Sequence, residues 1–156
     1  ESATGAEIGR PYFLALLGES LVATGHIDEG AAVIDSSMAL INSTSERFAH
    51  SDVCRIKGDS LLAKRPESTP GSEDATETAR RNQAEAEDFL RQAVESARIR
   101  QAKSIELRAV ISLSRLLQNQ GRKEEARQML SEICGWFTEG GDTMDLKIAG
   151  ALLLDS

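Results

Sequence analysis

His50 and Cys54 stand four residues apart in HSDVCRIKGDSLLA, a stretch with helical patterning, and that spacing can present two metal ligands on one face. A zinc site needs about two more ligands, and no neighbouring cluster supplies them, so the pair reads as a half-buried thiol beside a surface histidine. A nucleophilic arrangement would join a Ser or Cys to His26 or His50 and a carboxylate, but neither histidine has a recognisable catalytic context. Glu124-Glu125 and the group Glu85, Glu87 and Asp88 could pose as paired carboxylates for acid–base work. Acid runs at helix starts are, however, ordinarily solvated and matched to the helix dipole. Neither a Gly-x4-Gly-Lys-Ser/Thr loop nor a Gly-x-Gly-x-x-Gly turn occurs. No catalytic residue, cofactor-binding residue, cofactor or metal ligand is assigned, and the expectation is a binding module rather than an enzyme.

The elements that must position any site are helices. Apolar residues recur at three-and-four spacing at Leu14, Leu17 and Leu21; at Ile34, Met38 and Ile41; at Ala86, Phe89, Leu90, Ala93, Val94 and Ala97; at Val110, Leu113 and Leu117; and at Ala126, Met129, Leu130, Ile133, Cys134 and Phe137. No convincing strict alternation marks a strand. Helices are expected near 10–24, 28–42, 44–64, 78–100, 103–119, 122–137 and 143–154. Gly25 and Gly121 each follow a stripe, where positive φ ends a helix at little cost, and Asp28-Glu29 and Glu124-Glu125 open the helices that follow. The segment KRPESTPGSEDATET has no stripe and reads as a solvated loop.

These stripes line up with the tetratricopeptide pattern: Leu14-x2-Leu17-Gly18-x2-Leu21 with Gly30-x3-Ile34, Cys54-x2-Lys57-Gly58-x2-Leu61 with Ala86-x3-Leu90, and Val110-x2-Leu113-Ser114-x2-Leu117 with Ala126-x3-Leu130. No Trp takes the first signature position, and Lys57 stands where Leu is expected. The small residues Gly18, Gly30, Gly58, Ala86, Ser114 and Ala126 would let paired helices approach closely. The expected fold is all-α: a single domain over 1–156, a right-handed α-solenoid of about three tetratricopeptide-like hairpins. These span 10–42, 44–100 with a loop insertion at 65–77, and 103–137, with a capping helix over 143–154. In the cap, Leu146, Ala149 and Leu153 would cover the end of the array, Asp142 or Thr143 would cap the helix after Gly140-Gly141, and Trp136 would anchor the junction.

Arrays of this kind bind through the first helix of each hairpin. In that register the groove residues are Tyr12, Glu19, Asp52, Arg55, Asp59, Arg108, Arg115 and Gln118, with Ala15, Val22, Leu62 and Ile111 between them. Either Arg55, Arg108 and Arg115 neutralise Glu19 and Asp59, or they form a local basic site for an acidic peptide or a chain-terminal carboxylate.

Two end segments, EIGRPYFLALLGESLVATGHIDEG and AKSIELRAVISLSRLLQNQGRKEEARQMLSEICGWFTEGGDTMDLKIAGALL, carry a further resemblance. They are similar to the C-terminal tetratricopeptide-like region of large bacterial predicted ATPases, many of which carry a class III adenylate/guanylate cyclase domain. The resemblance implies a regulatory or assembly region of a signalling protein, with catalysis in other domains. The chain opens on Glu1 rather than Met, so a piece of a longer protein is expected.

Composition narrows the partner. A net charge of −7 and a pI near 4.9 disfavour nucleic acid, which is held largely by Lys and Arg at phosphates. The charge is segregated: acids dominate 66–90 and bases dominate 91–127. Cys54 and Cys134 are too few for a disulfide framework and are expected reduced. No apolar run approaches the ~18 residues of a membrane span, no signal segment opens the chain, and a cytoplasmic location follows by default. The expected partner is a protein or peptide, which could be another domain of the same polypeptide, with neither nucleic acid nor membrane involved. A homo-oligomer or homodimerisation module, and a ligand-sensing or catalytic helical domain with an internal pocket, are the alternatives.

Overall fold

The computed structural model describes residues 9–44, 47–139 and 143–155, and these form an all-helical chain. The helices are α1 (Arg10–Ala23), α2 (Ile27–Ser43), α3 (His50–Ala63), α4 (Glu73–Ile99), α5 (Lys103–Asn119), α6 (Lys123–Trp136) and α7 (Met144–Leu154). Among the described residues, no helix is long and apolar enough to cross a membrane.

Helices α1 and α2, α3 and α4, and α5 and α6 pack as consecutive pairs. The first helices also touch in succession, α1 on α3, α3 on α5 and α5 on α7, whereas the backbones of α2, α4 and α6 do not approach one another closely among the described residues, and α4 and α6 meet through long side chains. The result is one tight layer, α1–α3–α5–α7, backed by a more widely spaced one.

Three turns share one geometry. After α1, the Gly25 amide donates to the Val22 carbonyl and the His26 amide to that of Leu21; after α5, Gly121 donates to Gln118 and Arg122 to Leu117. Both are left-handed helix stops with φ of 92° and 78°. The turn after α4 repeats this bonding through the Gln101 and Ala102 amides, but with a glutamine at φ 55°. It carries the strain that glycine avoids elsewhere.

Close approach depends on the small residues. A Cβ added to Gly18 would lie 2.8 Å from the Gly30 carbonyl oxygen, and one added to Gly30 would lie 2.7 Å from that of Gly18. Backbone therefore meets backbone where α1 crosses α2. Ala86, Ser114 and Ala126 are fully buried at the later crossings. A buried hydrogen bond from Ser37 Oγ to the Pro11 carbonyl, 2.6 Å, ties the same pair. The apolar core has one cluster from α1, α2 and α3 around Ile34, Val53 and Ile56. A larger one runs from α3 to α7 around Leu90, Leu113, Leu117 and Leu130, and Met38 touches both. Lys57 occupies its apolar register by burying its stem while its amine pairs with Asp35 on α2.

Several expectations need correction. Helix α4 starts at Glu73, inside the expected 65–77 loop, because Ser72 Oγ accepts the Ala75 amide and Glu73 and Asp74 sit at the dipole's positive end. Helix α3 starts at His50 rather than 44, since Thr44 is extended and residues 47–49 form a turn. On α1 the buried side is Pro11, Ala15 and Gly18, while Leu17 is half exposed. Leu14 and Leu21 of the leucine stripe are only partly buried, so the stripe is not the face that α1 packs into the core. Trp136 is 62% exposed and holds no junction; its ring lies 5.0 Å from the Lys103 amine. Ala149 is buried, and Leu146 and Leu153 pack on the larger core, with Thr143 Oγ1 accepting the Leu146 amide. Gly140, Gly141 and Asp142 lie outside the described residues.

Candidate functional site

The tight layer of first helices encloses a groove of about 480 Å³. Helix α1 contributes Tyr12, Leu16 and Glu19; α3 contributes Asp52, Arg55 and Asp59; α5 contributes Arg108, Ile111, Ser112 and Arg115; and α7 contributes Asp145 and Ile148. These side chains meet because residues three, four or seven apart share a helix face and because the four helices lie side by side. A larger cleft, about 660 Å³, lies between the Gly25–Asp28 turn and the Lys64–Ser68 connection. It is lined by the Lys64–Ser68 connection, the start of α2 and part of α4, whereas the groove is set wholly on four helices packed side by side.

Most of the groove's charge is internally matched. Arg55 Nη1 donates to Glu19 Oε1 at 3.0 Å and to Asp59 Oδ2 at 3.2 Å, and Ser112 Oγ donates to the same Asp59 oxygen at 3.0 Å. Arg108 Nε reaches Asp145 Oδ2 at 3.0 Å. Burial pushes the Asp59 carboxyl above the ordinary range, against the opposing pull of Arg55 and Ser112. Desolvation lowers the Arg55 pKa, but Glu19 and Asp59 outweigh it and leave a net rise. The arginine cluster expected as a basic site is thus largely neutralised: four carboxylates, Glu19, Asp52, Asp59 and Asp145, face three guanidinium groups.

Two charged side chains stay outside these pairs. Asp52 is 7% exposed; among the described residues its carboxylate takes part in no hydrogen bond and has no cation within 4.0 Å. Its pKa is raised, chiefly by burial and further by Glu19, with Arg55 and Arg108 opposing. Arg115 is exposed and also lacks a carboxylate within 4.0 Å. Arg55 Nε is buried and unbonded.

Of the residues placed in the groove by register, Tyr12, Glu19, Asp52, Arg55, Asp59, Arg108, Ile111 and Arg115 line it. Gln118 does not; its side-chain amide donates to the Leu152 carbonyl and ties α5 to α7. Ala15 is fully buried beneath the groove, with Leu16 lining it instead. Asp145 and Ile148 also line it, so α7 both covers the end of the array and contributes to the groove. Their spacing from each other on one helix face was the available signal.

The chemistry weighed elsewhere finds little geometry. Cys54 Sγ lies 3.7 and 3.8 Å from the two ring nitrogens of His50, but burial pushes this thiol up to about 12, far from a reactive thiolate. The His50 pKa is lowered by burial, then by Arg47 and Arg100. Among the described residues, no group of three His, Cys, Asp or Glu side chains could hold a metal ion. Glu87 and Glu125 are engaged in ion pairs with Arg91 and Arg122. No protein-family model, curated protein or solved structure matches the chain.

Proposed function

We propose that this chain is a protein-interaction or regulatory module: a right-handed, tetratricopeptide-like α-solenoid of three hairpins and a closing helix that holds a segment of a partner protein in the groove of its first helices. The observation that carries this reading is that side chains from α1, α3, α5 and α7 converge on one open groove of alternating charge, the surface that stacked helical hairpins use for binding. The resemblance to C-terminal regions of bacterial ATPase and cyclase-type signalling proteins supports a regulatory role within a larger polypeptide, with catalysis elsewhere. The partner is then a protein or peptide, including another domain of the same polypeptide. An internal catalytic or sensing pocket has less support, because the polar groups of the groove lie open and mostly pair with each other.

The test is site-specific photo-crosslinking in the complete protein, with a photoreactive phenylalanine analogue replacing Tyr12 in the groove or Glu77 on the exposed side of α4. The expected outcome is a defined crosslinked partner or partner domain from position 12 and none from position 77. Crosslinks from position 77 alone, or from neither, refute the groove as the working surface.

A second reading rests on α1, where Phe13 and Leu17 are 67% and 52% exposed on one face of the helix. That face suits a second copy or a further hairpin. Concentration-dependent dimerisation abolished by Phe13→Ser/Leu17→Ser, with groove crosslinking retained, would assign self-association to α1.

A further inference from the structure

Resting on the groove reading above, we infer that the groove takes a basic segment, with a Lys or Arg side chain of the partner placing its cationic head against Asp52. A carboxylate that is largely withdrawn from the surface and left without a protein donor is an incomplete interaction, and Asp52 is more than nine-tenths buried, lines the groove, and has no hydrogen bond or ion pair among the described residues. The other groove carboxylates are occupied: Glu19 and Asp59 by Arg55, and Asp145 by Arg108. An incoming ammonium or guanidinium supplies the missing donors and balances the excess of four carboxylates over three guanidinium groups. Leu16, Ile111 and Ile148 line the same groove and provide apolar surface for the aliphatic stem of such a side chain.

An acidic partner is the poorer match. Arg55 and Arg108 already hold carboxylates, so an acidic group would have to share them and would meet only Arg115 with its charge unmatched. That residue is exposed and solvated, so it has little to gain from a new ion pair. The unmet demand lies at the buried carboxylate rather than at the exposed cation.

Three capped, fluorescently labelled peptides of equal length, rich in Lys, in Gln or in Glu, are titrated by anisotropy at low and physiological salt. The proteins are wild type, Asp52→Asn, Arg115→Ala and the distant control Glu77→Gln. The Lys peptide should bind wild type and Glu77→Gln alike. Asp52→Asn should weaken it by about tenfold or more, the loss expected for a partly desolvated charge pair. Equal binding of the Lys peptide to wild type and Asp52→Asn overturns the assignment to Asp52. Preferential binding of the Glu or Gln peptide, lost in a groove variant, overturns the basic partner and leaves the groove reading standing. If no peptide binds, the basic-segment proposal falls, and the crosslinking from position 12 decides the groove reading separately. Thermal melts of Asp52→Asn and a second variant, Asp52→Ser, confirm that weakened binding is measured on folded protein.

Discussion

Glu106 and Asp52 are both acids in the first turn of a hairpin's first helix, on α5 and α3, and both are buried, with 3% and 7% exposure. Their surroundings differ. Glu106 receives Arg98 Nε at one oxygen and Lys103 Nζ at the other, each at 2.8 Å, so the end of α4 and the start of α5 are clamped across the turn at Gln101. Asp52 has no such partner and opens on a groove. A buried carboxylate that is fully bonded works as a structural clasp, and one left without protein donors keeps hydrogen-bonding capacity that water or another molecule can complete. The same contrast separates the closed Glu87–Arg91–Arg122–Glu125 network, which bridges α4 and α6, from the incomplete one in the groove. In the closed network the Glu125 pKa is held down chiefly by its bond to Arg91.

The largest effect should come from turning Glu106 into a second Asp52. Arg98→Ala/Lys103→Ala strips both cations from a carboxylate whose side chain is 4% exposed. Removing the partners of a buried charge is strongly destabilising, and because Arg98 and Lys103 are themselves part-exposed the loss should be about 3 kcal/mol, near the low end for such changes. Chemical denaturation measures it. Adding Glu106→Gln to the same background should restore most of the loss. A double variant as stable as wild type would show that burial alone does not make an unpartnered carboxylate costly here, and the contrast with Asp52 would lose its force.

How far this difference could be read in advance depends on the kind of interaction. Gly25 and Gly121 were legible as helix stops because glycine alone adopts positive φ freely, whereas the equivalent stop at Gln101 gives no such signal and emerges only from its hydrogen bonds. Ser72 with Glu73 and Asp74 was a readable helix start, obscured by the Pro, Gly and Thr around it. Groove register on α1, α3 and α5 followed from the helical period. The choice of partner did not: Asp59 lies one turn from Arg55 on α3, but whether Arg55 also reaches Glu19 depends on how α1 lies against α3, which the core shared by α1, α2 and α3 sets. The apolar stripe of α1 misled for a related reason. Periodicity identifies a face able to be buried, and Leu17 lies on one that the described helices only partly cover.

A smaller effect of opposite sign is expected from Asp52→Asn. Asp52 is only partly desolvated, so its unpartnered carboxylate should cost near the low end of about 1–3 kcal/mol, offset by loss of a favourable charge at the start of α3 of about 0.3–1 kcal/mol, so the variant should gain less than about 1 kcal/mol at neutral pH. The pH dependence follows from the raised pKa. Native Asp52 holds its proton more tightly than the unfolded chain does, so its favourable contribution is present below the ordinary Asp value of 3.8 and is lost as pH rises through its folded value. The stability gap between Asp52→Asn and wild type should open across that window and close below it. Arg55, Arg108 and Glu19, the charged neighbours of Asp52, are common to both proteins, so the difference isolates one group better than either curve alone. A gap that is constant with pH would assign the change to packing rather than charge.

The smallest effect should be at Arg115, the other unmatched charge of the groove. It shares with Asp52 the lack of an oppositely charged neighbour within 4.0 Å among the described residues, but it is exposed. Water can solvate its guanidinium in the folded and unfolded states alike, so removing it should change stability by less than about 0.5 kcal/mol. Its effect on binding should be small and opposite to that of Asp52→Asn: deleting a cation near an incoming Lys or Arg relieves repulsion, tightening the basic peptide by about two- to threefold at low salt and less as salt screens the field. Denaturation and peptide titration of Arg115→Ala, run beside Asp52→Asn, measure both quantities. Weaker binding of the basic peptide to Arg115→Ala would place an acidic group of the ligand at that end of the groove, and a stability loss above about 1 kcal/mol would mean that exposure does not separate the two unmatched charges.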